Sequence, residues 1–172
     1  GILFGTTGCG NAEVVTIDPL TGISTLIGTH PFGAVNGLEF DNGGVLYGAF
    51  YNINGGSTDL VTVDQATGAL TSIGPMFPLY RATGLTFSPG GSLYVVSHSQ
   101  GPSTLHTVNI ANGNITTIGP TGFDKVGALE FGPDGILYGG VGAGVPNAGA
   151  LISIDTLTGA GTLIGATGLL SL

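Results

Sequence analysis

The chain has 172 residues, of which 42% are hydrophobic and only 7% charged, against about 25% charged in an average soluble domain. Its net charge is −8 and its only basic side chains are Arg81 and Lys125. That excludes the Lys and Arg clusters needed for nucleic acid or an anionic membrane surface. A single cysteine, Cys9, rules out an internal disulfide and a zinc site built on cysteines.

Glycine and polar residues interrupt every apolar run, so no stretch reads as a membrane span. The length suits one core, and we expect a single domain over residues 1–172. The 34 glycines would suggest disorder if apolar residues were scarce. Here Val, Ile, Leu and Phe recur in register, so the glycines punctuate short strands. So few charges suit a secreted protein packed in a matrix or fibre better than a cytosolic one.

In chain order, the first element is a short strand, Gly1-Ile2-Leu3-Phe4-Gly5. Next comes an outer hairpin. Val15 and Ile17 alternate up to Asp18, Gly22 closes the turn, and a second strand stops at Gly28. The same hairpin returns at Asp64, Gly68 and Gly74, at Asn109, Gly113 and Gly119, and at Asp155, Gly159 and Gly165. Its turn glycines are spaced by 46, 45 and 46 residues. In each turn the glycine supplies positive φ, and the Asp or Asn oxygen accepts backbone N–H bonds. That turn-cap role fits Asp18, Asp64 and Asp155 better than calcium binding, which needs six to eight converging oxygens.

Between these hairpins lies an inner one. Its outgoing strands are Gly37–Phe40, Gly84–Phe87 and Ala128–Phe131, and its return strands begin Leu46-Tyr47, Leu93-Tyr94 and Leu137-Tyr138. Each unit therefore holds four short strands, A to D from the inside outward. A four-stranded meander repeated at about 45 residues predicts the blades of an all-β propeller, about four of them, over approximately 1–36, 37–83, 84–127 and 128–172. The Leu-Tyr-Gly, Leu-x-x-Ile-Asp-x-x-Thr-Gly and Thr-x-Ile-Gly motifs resemble the propeller repeats of secreted bacterial proteins of unknown function. The resemblance covers nearly the whole chain and implies the fold, with no activity attached. The chain departs from WD40 repeats in lacking tryptophan altogether.

Strands B, C and D occur four times and A three times, so one inner strand is missing. The tail Gly165-Ala166-Thr167-Gly168-Leu169 matches Gly119-Pro120-Thr121-Gly122-Phe123, which is a D-to-A connection. Three completions are open: more chain beyond Leu172, closure of the first blade by the tail, or a strand from another copy. The exposed assembly edge is expected at Ile2, Leu3, Phe4, Leu169, Leu170 and Leu172.

Variable loops on a rigid frame are the usual place for binding. Here the B–C and D–A loops carry Tyr51, Asn52, Tyr80, Arg81, His98, Asp124 and Lys125, rings and polar groups suited to a carbohydrate. Glu39 and Glu130 lie on inner strands, where they line the channel with Thr86 between them. Two blades apart, they are expected to be too distant for joint acid/base work. Cys9 has no nearby His, and His106 replaces an apolar strand residue as a packing feature. Asn114-Ile115-Thr116 is an N-glycosylation sequon. No cofactor and no catalytic constellation is indicated. The expected function is a secreted, non-enzymatic structural or interaction module, possible subunit of an extracellular fibre built by strand complementation and self-association. The alternative is a lectin using the variable loops. A third reading, a propeller lyase or lactonase, needs a metal or a His/Glu cluster on that face.

Overall fold

The computed structural model describes residues 1–7, 11–31, 33–79, 81–98 and 101–169. It contains four antiparallel sheets, each a meander in sequence order. The first is three-stranded, with β1 (Leu3–Thr6), β2 (Asn11–Ile17) and β3 (Ser24–Pro31). The second runs β4 (Gly33–Phe40), β5 (Leu46–Asn52), β6 (Ser57–Val63) and β7 (Leu70–Pro75). The third runs β8 (Ala82–Phe87), β9 (Leu93–Ser97), β10 (Pro102–Val108) and β11 (Ile115–Asp124). The fourth runs β12 (Val126–Phe131), β13 (Leu137–Val141), β14 (Ala150–Ile154) and β15 (Gly161–Ala166). These are the blades of a β-propeller, and among the described residues the first lacks its inner strand, as the repeat count predicts.

Side chains alternate across each strand, so every blade sends one apolar set to the blade before and another to the blade after. Three seam cores result. Phe4, Val14 and Ile27 meet Leu46, Val61 and Val63 of the second blade. Tyr47, Leu60 and Ile73 meet Leu85, Leu93 and Val108 of the third. Tyr94, Leu105 and Ile118 meet Leu129, Leu137 and Ile154 of the fourth. One aromatic pair recurs in each seam: Phe4 with Phe40, Tyr47 with Phe87 and Tyr94 with Phe131, edge to face at 5.7, 5.4 and 5.4 Å between centroids. Packing links successive sheets through β4, β8 and β12, and among the described residues no comparable packing joins the fourth sheet back to the first.

The turn chemistry is as the residues dictate. Gly22, Gly68, Gly113 and Gly159 have φ of 72°, 67°, 76° and 80°. Asp64 Oδ1 accepts from the Ala66 and Thr67 amides and the Thr67 hydroxyl. Asp18, Asn109 and Asp155 accept from the amide two residues on in the same way. These bonds favour the ionised form and hold Asp18, Asp64 and Asp155 below the usual carboxylate range.

Two readings of the repeat need correction. Gly28, Gly74, Gly119 and Gly165 do not end their strands; each lies inside one. The first three are glycine because the turn of the next blade lies against them. The D-to-A connections also hold less loop than the motif spacing suggests. Strand β11 continues to Asp124, where it pairs with Pro102, and β12 starts at Val126. Each A strand then carries a β-bulge, at Ala82/Gly84 and Val126/Ala128 in equivalent places and at Asn36/Leu38 one residue later in the repeat.

Candidate functional site

The residues expected to bind a ligand fall into two groups. At the border of the second and third blades, Tyr51 is the penultimate residue of β5 and Arg81 precedes β8. The Arg81 guanidinium carbon lies 5.7 Å from the centre of the Tyr51 ring, a cation–π geometry. The Arg81 carbonyl accepts from the His98 amide at 3.1 Å, which brings His98 to the same corner. The Nδ1 atom of His98 is buried and has no hydrogen-bond partner among the described residues. Asn52 is committed to its own loop, its Oδ1 accepting from the Asn54 and Gly55 amides. At the next border, Asp124 ends β11 and Lys125 takes a positive φ of 51°. Lys125 Nζ donates to the Ala143 carbonyl at 3.1 Å. Tyr80, Cys9, Leu170 and Leu172 lie outside the described residues.

The channel overturns one expectation. Glu39, Thr86 and Glu130 hold one register position on β4, β8 and β12, opposite Tyr47, Tyr94 and Tyr138. Thr86 Oγ1 donates to Glu130 Oε2 at 3.4 Å. Glu130 is near enough for its charge to act on Glu39. Burial first, then the Glu130 charge, raises the Glu39 carboxyl above its ordinary value.

His106 packs as expected of an apolar replacement. It is buried, Nε2 lies 2.9 Å from Ser97 Oγ, and Nδ1 lies 3.0 Å from Thr117 Oγ1. Burial pushes its pKa down to about 4, so it is a neutral strand residue at physiological pH. Asn114 is exposed immediately before β11, and Thr116 is exposed two residues on.

Inter-blade staples escaped the sequence reading. Asn36 Nδ2 donates to the Ala82 carbonyl at 3.0 Å, and Thr83 Oγ1 donates to the Val126 carbonyl at 2.8 Å. The equivalent carbonyl in the second blade, that of Val35, accepts from Thr6 Oγ1 at 2.9 Å. Thr6 belongs to the B strand, so in the first blade a B residue makes the bond that A residues make elsewhere. Asn36 and Thr83 share a place in the repeat but differ in chemistry, so pattern alone could not flag them.

The two end blades each expose an apolar face. Leu3 is 53% exposed, while its counterparts Leu46, Leu93 and Leu137 are each 1% exposed. Val15 and Ile17, on the same face, are half-buried. At the other end Ile164 is 54% exposed, while Ile27, Ile73 and Ile118 pack into the seam cores. Ile2 and Leu169 are 66% and 59% exposed. Among the described residues of the expected assembly edge, Phe4 alone faces inward, held in the first seam by Phe40.

No protein-family model matches the sequence, and no curated protein matches it. Solved structures do match the fold. The nidogen–laminin complex aligns with a TM-score of 0.69 at 15% identity, covering 99% of this chain and 63% of that one. Regucalcin, a calcium-binding protein from Agrobacterium tumefaciens, aligns at 0.57 and 15%, covering 94% and 58%. An exo-β-1,3-galactanase from Phanerochaete chrysosporium, with β-1,3-galactotriose, aligns at 0.63 and 14%, covering 92% and 42%. The chain thus spans less than two thirds of the length of these proteins. Enzymes and non-enzymes share the architecture, so the likeness carries the fold alone.

Proposed function

We propose that this chain is a secreted, non-enzymatic interaction module that works through its blade faces in an extracellular assembly. It would be of the secreted bacterial repeat type that its motif resembles. The observation that carries this reading is the exposure of Leu3 at 53% where three equivalent leucines are at 1%. Contiguous apolar surface of this kind marks a place where another polypeptide sits. A composition with only 7% charge supports it, since little else keeps such faces apart. An environment-sensitive apolar dye tests it. In dilute solution the folded chain should bind the dye, and the double variant Leu3→Glu/Ile164→Lys should lose most of that binding. Unchanged dye binding would mean that these faces are not the working surface.

The Tyr51–Arg81–His98 corner favours carbohydrate as a second ligand class. A ring with a guanidinium across it offers stacking, and the buried His98 Nδ1, without a hydrogen-bond partner among the described residues, offers hydrogen bonding. A glycan array with wild type and Arg81→Ala separates the readings, because equal or absent binding removes the carbohydrate one.

A further inference from the structure

We propose that the open faces of the first and fourth blades are two halves of one interface, and that a second copy of this chain fills them head to tail. This rests on the reading that the blade faces are the working surface, and it names their occupant.

The chain contains three finished examples of the interface. In each, the D-strand glycine of one blade lies against the C–D turn of the next. Gly28 meets Thr67 and Gly68, Gly74 meets Asn112 and Gly113, and Gly119 meets Thr158 and Gly159. The preceding residue, Ile27, Ile73 or Ile118, packs into the seam core. The fourth blade repeats the giving half with nothing to receive it. Gly165 has no atom within 4 Å of the position a Cβ would take, and Ile164 beside it is exposed.

The first blade repeats the receiving half. Gly22 likewise has nothing within 4 Å of a built Cβ and is exposed, whereas Gly68, Gly113 and Gly159 are buried. Leu3, Val15 and Ile17 stand where Leu46, Val61 and Val63 stand in the first seam.

The connection after the last strand is also shaped for a following blade. At the third seam, Thr121 Oγ1 donates to the Ser103 carbonyl, Gly122 has φ 78°, and the Phe123 amide donates back to Thr121 Oγ1. That geometry seats Phe123 against Gly161 of the fourth blade. Thr167 Oγ1 donates to the Gly149 carbonyl, Gly168 has φ 82°, and the Leu169 amide donates to Thr167 Oγ1. Leu169 is therefore presented as Phe123 is, with 59% of its surface in solvent. In a second copy, the counterpart of Gly161 is Ser24.

The two halves differ, so the contact is heterologous: it joins copies in a row or closes them into a ring. A groove of about 260 Å³ beside β1 is lined by Glu39 and by apolar residues of the first two blades, among them Leu3, Phe4, Leu38 and Leu46. It is the place toward which the incoming connection leads.

Two variants, each blocking one half, test this. Gly165→Val has room in the isolated chain but puts a side chain where Gly74 and Gly119 tolerate none; Ile164→Lys serves if it misfolds. Leu3→Glu charges the receiving half. Sedimentation velocity up to ~100 μM covers the dissociation constants of ordinary interfaces. Wild type should associate with rising concentration, and each folded variant should lose association by at least about tenfold. An equimolar mixture of the two variants should give a one-to-one dimer that grows no further, since each keeps one good half. A monomeric wild type that still binds the apolar dye would overturn the head-to-tail contact and leave the interaction reading standing. Either folded variant associating as tightly as wild type would also overturn it. So would a wild type kept monomeric by an inner-strand peptide of residues 82–88, which would make a strand the occupant.

Discussion

A Cβ built on Gly74 would run into the Asn112 carbonyl oxygen, and one built on Gly119 into that of Thr158. Gly74→Ala should therefore cost about 1–3 kcal/mol in urea unfolding, the range of an overpacked site. Gly165→Ala, with nothing nearby, should stay within about 0.5 kcal/mol. The period of these glycines was legible in the sequence, but their reason was not. A glycine before a turn-like segment reads as a strand stop, and contact with a residue some 40 positions away leaves no local mark. His106 shows the opposite case, where a single odd residue in an apolar column was enough to assign packing. Its unfolded imidazole titrates near 6.5 while the folded one stays neutral down to about 4. Protons thus favour the unfolded chain across that window: stability is full above pH 6.5 and falls as pH drops toward 4. His106→Val should remove that slope, worth on the order of 1–2 kcal/mol at pH 5, as read by thermal melts at pH 5 and 8.

At the scale of the element, the outer hairpin is specified by an oxygen and a glycine. The third copy makes the turn with Asn109 in place of aspartate. Asp64→Asn should accordingly lower the melting temperature at pH 7 less than Asp64→Ala does. The lowered carboxyl value of Asp64 gives a stabilisation present above the ordinary carboxylate range and lost as pH falls through the folded value. The difference between wild type and Asp64→Ala should shrink at pH 2, and its persistence there would mean that the charged form is not what the turn uses. This turn was readable because all its bonds lie within five residues. The A-strand bulges and the long reach of β11 to Asp124 were not, because each depends on where a neighbouring strand runs. The tail was legible for a different reason: Thr167-Gly168-Leu169 and Thr121-Gly122-Phe123 make the same local bonds.

For the whole molecule, the informative failure is the distance between Glu39 and Glu130. Their separation depends on how tightly the inner strands curve around the channel, and no one-dimensional spacing encodes that radius. The raised Glu39 value gives a contribution present at low pH that is lost as pH rises through the folded value. Glu39→Gln should therefore raise the melting temperature at pH 7 and leave it nearly unchanged at pH 3. Equal stabilisation at both pH values would point to packing instead of charge. The seams carry a further consequence. In each, main chain meets main chain at one glycine, Gly28, Gly74 or Gly119, beside an apolar core built from the same repeat positions, so one joint serves between any two neighbouring units. A gene made of such units can gain or lose one by slippage without any joint being redesigned. The number of blades is then a quantity that heredity can change in one step, while the joint itself stays the same.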